Sequence, residues 1–128
     1  MWEKEVISTT RVPQAIGPYS QGIRVGPFIF VSGQIPLDPS TGKLVEGDIK
    51  AQTQQALENL KGVLQATGSS LDKVVKTTIF MARIEDYSAI NEVYSQYFKD
   101  SRPARSALQA SRLPRDAGVE IEAIAIVD

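Results

Sequence analysis

The stretch "VEIEAIAIVD", Val119 to Asp128, alternates so regularly that it defines two opposite faces of a strand. Val119, Ile121, Ala123, Ala125 and Val127 point one way, and all are apolar. Glu120, Glu122, Ile124 and Ile126 point the other way. The first face needs helices packed on it. The second face mixes two carboxylates with two isoleucines that a lone subunit would leave in water. The alternation therefore predicts a sheet with helices on one side and another copy of the chain on the other. Glu120 and Glu122 then lie at or near a subunit interface.

The rest of the chain supplies the elements that such a sheet requires. Asp48 to Thr67 is the clearest helix, with Ile49, Thr53, Ala56, Leu57, Leu60, Val63 and Leu64 forming one stripe at the 3.6-residue period. Asp48 suits the N-cap, and Gly68 suits the left-handed position just past the end. A second helix is predicted from Glu85 to Phe98, with Tyr87, Ile90, Tyr94 and Tyr97 or Phe98 on one face. Trp2 to Ser8 reads as an edge strand, and "QGIRVGPFIFVSG" as two strands joined around Gly26-Pro27. Lys73 to Ala82 and Ala104 to Gln109 are further strands. The order β-β-β-α-β-α-β-β predicts an α+β layer, with two helices on one face of a single sheet. There is no repeat, low-complexity tract or linker, so residues 1–128 are expected to form one domain.

Composition narrows the chemistry. Hydrophobic residues make up 42 % of the 128, enough for a core. The net charge is −1 and no basic tract exists, which argues against nucleic acid or an anionic membrane as partner. No Cys means no disulfide, thiolate nucleophile or cysteine zinc site, and no His removes the commonest general base and metal ligand. Any chemistry must rest on carboxylates, Arg, Lys, Tyr, hydroxyls, backbone groups and bound water. The start, "MWEKEVISTT", lacks the apolar core of a secretory signal, and no apolar run approaches the ~20 residues that span a bilayer. A cytoplasmic protein is expected, with a processed organellar form left open.

The residues left to carry chemistry are few. Arg105 shares a strand face with Ala107 and Gln109, small or polar neighbours that leave room for its guanidinium. Its fork of donors matches a carboxylate in two parallel bonds. It is either an anchor for a small carboxylate ligand or one half of an ion pair with Glu120 or Glu122. Glu120 is either a water-orienting or proton-transferring carboxylate or an interface salt-bridge partner. Glu122 is assigned a structural role. Tyr19 follows Gly17-Pro18 in a loop, where it lids a pocket or packs its ring. Ser32-Gly33 ends a strand where backbone N–H groups become free. Asn91 sits inside the second helix, where an exposed surface residue is the plain explanation.

Six blocks of this sequence, in order, resemble the Rid family of reactive intermediate (imine) deaminases, also known by the older name YjgF. They are "AIGPYSQ" (15–21), "VSGQIP" (31–36), "VVKTTIFMA" (74–82), "INEVYSQYF" (90–98), "RPARSA" (102–107) and "VEIEAIA" (119–125). The resemblance implies a chorismate-mutase-like fold, α+β with a single mixed sheet and two helices on one face. It implies a homotrimer with active sites between neighbouring subunits. It implies hydrolysis of 2-imino acids, such as those derived from 2-aminoacrylate, to 2-keto acids and ammonia without a cofactor. By motif, Arg105 would bind the substrate carboxylate and Glu120 would position water. Tyr19, Ser32, Gly33 and Asn91 would line the site. Ala107 stands where a cysteine is frequent in the family, and would serve equally if that position acts through its backbone carbonyl. The alternative function is a non-catalytic module that binds a small carboxylate. Family members have also been linked to RNA cleavage, against which the acidic balance and missing histidine weigh here.

Overall fold

The computed structural model describes residues 2–128. Eight main elements follow the expected order: β1 (Lys4–Ile7), β2 (Gly22–Val25), β3 (Phe28–Gln34), α1 (Ile49–Ala66), β4 (Val74–Met81), α2 (Tyr87–Tyr97), β5 (Ala104–Gln109) and β6 (Val119–Ile126). They form one six-stranded sheet in the order β1-β2-β3-β6-β4-β5. The sheet is mixed, because β4 and β5 run parallel while the other neighbouring pairs are antiparallel. The last strand thus inserts in the middle, between β3 and β4. That position explains why its alternation carries so much of the fold.

The helix-facing side of the sheet forms the core. Ile29 and Val31 of β3, Ile79 and Met81 of β4, and Val119, Ile121, Ala123 and Ala125 of β6 are buried there. Ala56, Leu57, Leu60, Val63 and Leu64 of α1 and Ile90, Val93 and Tyr94 of α2 pack on them. Burying each large aliphatic side chain contributes about 1.5–3 kcal/mol. The stripe read from the sequence of α1 is the stripe that is buried.

Helix ends follow the expected chemistry. The Asp48 carboxylate accepts a 3.0 Å hydrogen bond from the Ala51 backbone N–H, and Gly68 takes φ +84° past the last turn. Asp48→Ala is expected to cost about 1 kcal/mol of unfolding free energy, measurable by urea titration. The second helix begins later than expected. A 3-10 turn, Ile84–Asp86, precedes it, so the α-helix starts at Tyr87 rather than Glu85.

Among the described residues, no helix packs on the opposite side of the sheet. Phe30, Leu108 and Ile126 are 42, 43 and 38 % exposed on it, beside Ile124, Lys76, Thr78, Glu120 and Glu122. The two faces of β6 separate as the sequence predicted. Among the described residues, no helix is long and apolar enough to cross a membrane.

Candidate active site

Arg105 is fixed by its strand register. β5 pairs in parallel with β4, placing Arg105 beside Thr77 and Ala107 beside Ile79. Thr77 and Ile79 are buried on the helix side, so Arg105 and Ala107 lie on that side too. Ala107 packs against the core. The longer Arg105 side chain reaches the exposed flank of α2. There Nη1 donates to Asn91 Oδ1 at 2.7 Å, and Nη2 donates to the Tyr87 hydroxyl at 2.8 Å. The guanidinium carbon also sits 5.0 Å from the centre of the Tyr94 ring and 5.6 Å from that of Tyr87, within cation–π range. The Tyr94 hydroxyl shares a 2.6 Å hydrogen bond with Thr77, which locks the ring beneath the cation.

Both side-chain acceptors on the fork are neutral. The ion pairs among the described residues are Lys50–Glu92, Lys73–Asp128, Arg83–Glu85 and Arg112–Asp116, and none involves Arg105. The ion-pair alternative with Glu120 or Glu122 is therefore overturned within the chain. The register supplies the reason: Glu120 pairs with Phe80 and Glu122 with Thr78, on the face opposite Arg105. Asn91 sits beside Arg105, where the resemblance implies it, and does not follow the plain reading of a surface residue. It is partly buried and holds Arg105, rather than lying free on the surface. Arg105, Asn91, Tyr94, Ser95, Phe98, Arg102 and Pro103 line a cavity of about 280 Å³ that contains no carboxylate.

A second cluster forms where β3 leaves the sheet. Val31 pairs with Ala123 and Gln34 with Ile121, so β3 carries one extra residue across Ser32-Gly33. This is a bulge, the place where a glycine in a strand permits close approach. The approaching group is Glu120. A methyl on Gly33 would overlap the Glu120 Oε2 oxygen and come within 2.8 Å of its carboxyl carbon. Ser32 faces the preceding loop, with Oγ donating to the Ser20 carbonyl at 2.5 Å and its backbone N–H donating to Gln21 at 3.0 Å. That ties down the segment carrying Tyr19. Tyr19, Gly33, Ile16, Ile35, Pro114 and Arg115 are among the residues around a second cavity of about 250 Å³. Asn59, buried in α1, braces its wall by donating to the Ile35 and Leu37 carbonyls at 3.2 and 3.0 Å.

Electrostatics differ between the clusters. Burial, and then the Glu122 carboxylate two residues along the same face, push Glu120 above the ordinary carboxylate value. Tyr87 is held below the usual phenol range by the Asn91 amide first and by the Arg105 charge next. Tyr94 is pushed up, mainly by burial.

The chain thus collects Arg105 with Asn91, and Gly33 with Glu120, with Ser32 beside that bulge and Tyr19 sharing a cavity with Gly33. It does not bring the two groups together, because the sheet lies between them. Sequence reading missed Tyr87 as a site residue. Its place in the apolar pattern of α2 concealed it, yet it is 39 % exposed and touches Arg105 instead of the core.

Comparison with known proteins gives a consistent family. Residues 9–127 match the family model for endoribonuclease L-PSP. A RutC family protein of Pyrococcus abyssi is 56 % identical over 122 residues, covering 95 % of this chain and 96 % of its own. The 2-iminobutanoate/2-iminopropanoate deaminase of Mus musculus is 50 % identical, covering 96 % of this chain and 91 % of its own. A Rid-family structure from Yersinia pestis superposes with a TM-score of 0.95 at 51 % identity, covering 98 % of this chain and all of the other. The matches span nearly the whole sequence and include every block that carried the resemblance, so the chain belongs to the Rid (YjgF) family.

Proposed function

We propose that this protein is a cofactor-independent deaminase, hydrolysing 2-imino acids such as 2-iminobutanoate and 2-iminopropanoate to 2-keto acids and ammonia. The observation that carries the reading is a guanidinium on a cavity wall whose side-chain partners are all neutral. Such a fork retains its charge and spare donors for an incoming carboxylate. Relatives named as deaminases at about half identity support the same reading.

A protonated imine is already electrophilic at carbon, so the protein's tasks are to orient it and to move protons. Arg105 holds the carboxylate. Glu120, ionised, takes a proton from water as the water oxygen bonds to the imine carbon. The product of that step is a 2-amino-2-hydroxy acid. Protonation of its nitrogen and loss of the hydroxyl proton break the C–N bond, leaving a ketone and ammonia. Orientation supplies much of the gain.

This assignment requires Arg105 and Glu120 to work together although they lie on opposite faces of one sheet. We assign them to adjacent subunits of a homotrimer, with the bare sheet face buried between copies. The apolar residues exposed on that face support the assembly.

The test is keto-acid release from freshly generated 2-iminobutanoate, which is expected to rise in proportion to protein concentration. Binding of 2-oxobutanoate without turnover would favour a non-catalytic carboxylate-binding module instead. Sedimentation is expected to give a trimer, and a monomer that retains activity would overturn the shared site. Gly33→Ala forces the Glu120 carboxyl aside and is expected to cut kcat by about 10–10²-fold, since small misplacements are that costly. Steady-state kinetics beside a thermal melt would separate this from unfolding.

A further inference from the structure

The Tyr87 hydroxyl has a proton whose direction is constrained by its neighbours. The phenol oxygen accepts from Arg105 Nη2 at 2.8 Å, and a guanidinium offers donors only. The O–H cannot point back into that bond. The other group acting on the phenol as a hydrogen-bond partner is Asn91, whose Oδ1 already accepts from Arg105 Nη1 at 2.7 Å. Asn91 eases the ionisation of the phenol, the action of a donating amide, so its contact does not use the hydroxyl proton, and that proton is left for a partner beyond this network at a residue 39 % exposed beside the guanidinium.

We propose that Tyr87 is a further substrate-binding residue, whose O–H donates to the same carboxylate that Arg105 anchors. The inference rests on the reading of Arg105 as the carboxylate site and adds a grip from α2 to the grip from β5. A carboxylate oxygen has lone pairs for both partners, and hydrogen bonds to an ion are the strong kind. The ring, 5.6 Å from the guanidinium carbon, keeps its hydroxyl in place through its cation–π contact.

The arrangement has a consequence that packing alone would not produce. A neutral phenol donates to an anion, whereas a phenolate repels it and partly cancels the Arg105 charge. The groups acting on the phenol are the Arg105 cation from β5 and, on its own helix, Asn91, while the Tyr94 ring stacks on the same cation. The Asn91 amide and then that cation ease its ionisation. Anion affinity is therefore expected to fall on the alkaline side as Tyr87 ionises. Tyr94, raised mainly by burial, titrates later and is present in both proteins compared below.

The experiment is calorimetric binding of 2-oxobutanoate to wild type and Tyr87→Phe across neutral to alkaline pH, with kinetics on 2-iminobutanoate. Phe keeps the ring, and equal melting temperatures would show an intact fold. The variant is expected to bind about tenfold more weakly at neutral pH. Its KM is expected to rise in parallel, with kcat changed by no more than about twofold. Wild type is expected to lose affinity about tenfold per pH unit once the phenol ionises, and the variant is expected to stay flat there. Equal neutral-pH affinity, or the same alkaline loss in both proteins, would overturn the role of Tyr87 while leaving Arg105 untouched. Failure of wild type to bind the keto acid at all would remove the carboxylate site and this inference together.

Discussion

Arg105→Lys is expected to lower kcat/KM for 2-iminobutanoate by about 10²-fold or more, while the protein remains folded. The variant keeps a positive charge on β5, so a loss of this size cannot be put down to net charge. What disappears is the planar fork. In wild type, two of its donors are committed to Asn91 and Tyr87 at 2.7 and 2.8 Å, and the guanidinium, which lines the cavity, has further donors to offer. An ammonium presents three donors around one point and cannot satisfy both neighbours and a bidentate carboxylate. Each hydrogen bond to a charged group is worth about 1.5–3 kcal/mol, so losing two amounts to about two decades or more. The Tyr94 ring also loses a flat cation to stack under, 5.0 Å away in wild type. Keto-acid release and 2-oxobutanoate affinity are expected to fall together, because the anchor serves substrate and product alike. A lysine variant with wild-type kinetics would show that Arg105 has no carboxylate to hold.

β6 and β5 differ in how much of their placement their sequences encode. Every second residue of β6 is apolar, and a strand flanked by partners on both sides has to obey that period, so both faces were legible. β5 is an edge strand with mostly exposed or partly exposed residues, and its period reveals only that Arg105 and Ala107 share a side. Which side that is depends on β5 pairing with β4 and not with β6, a long-range choice that no local pattern encodes. Hence the pairing of Arg105 with Glu120 or Glu122 was a fair expectation from sequence, and the register overturns it. The helix stripes show the same limit. Ile90 and Tyr94 fell on the buried face as read, but Tyr87, one turn earlier on that face, lies where the core ends and the cation begins. Ser32-Gly33 carried only the faint sign of a glycine in a strand. The bulge and the carboxyl resting on it appear once β3 is set against β6. For Asn91 only the motif resemblance pointed to the site, because helix propensity says nothing about a neighbour fourteen positions away.

Glu120→Gln is expected to reduce kcat by about 10²–10³-fold, within the usual range for removing a general base. The substitution preserves size and removes only the ability to ionise, so it isolates proton transfer from packing against Gly33. The pH dependence follows from the raised pKa of the carboxyl. A base must be deprotonated to act, so wild-type activity is expected to climb as pH rises through the raised value, and that acid limb is expected to vanish in the variant. Stability runs the opposite way. Below the unfolded carboxyl value both states bind the proton. Between that value and the higher folded one, the folded state holds more protons than the unfolded chain, so stability falls as pH rises through the window. At neutral pH the ionised Glu120 is therefore a net cost to the fold, and Glu120→Gln is expected to melt at or above the wild-type temperature. A variant that loses activity and melts lower would mark Glu120 as a structural residue whose removal merely loosens the site. Glu122→Gln gives a second handle. Glu122 is the second cause of the shift after burial, so removing its charge is expected to move the acid limb toward lower pH without abolishing turnover. An unmoved limb would mean that the group seen in the profile is not Glu120.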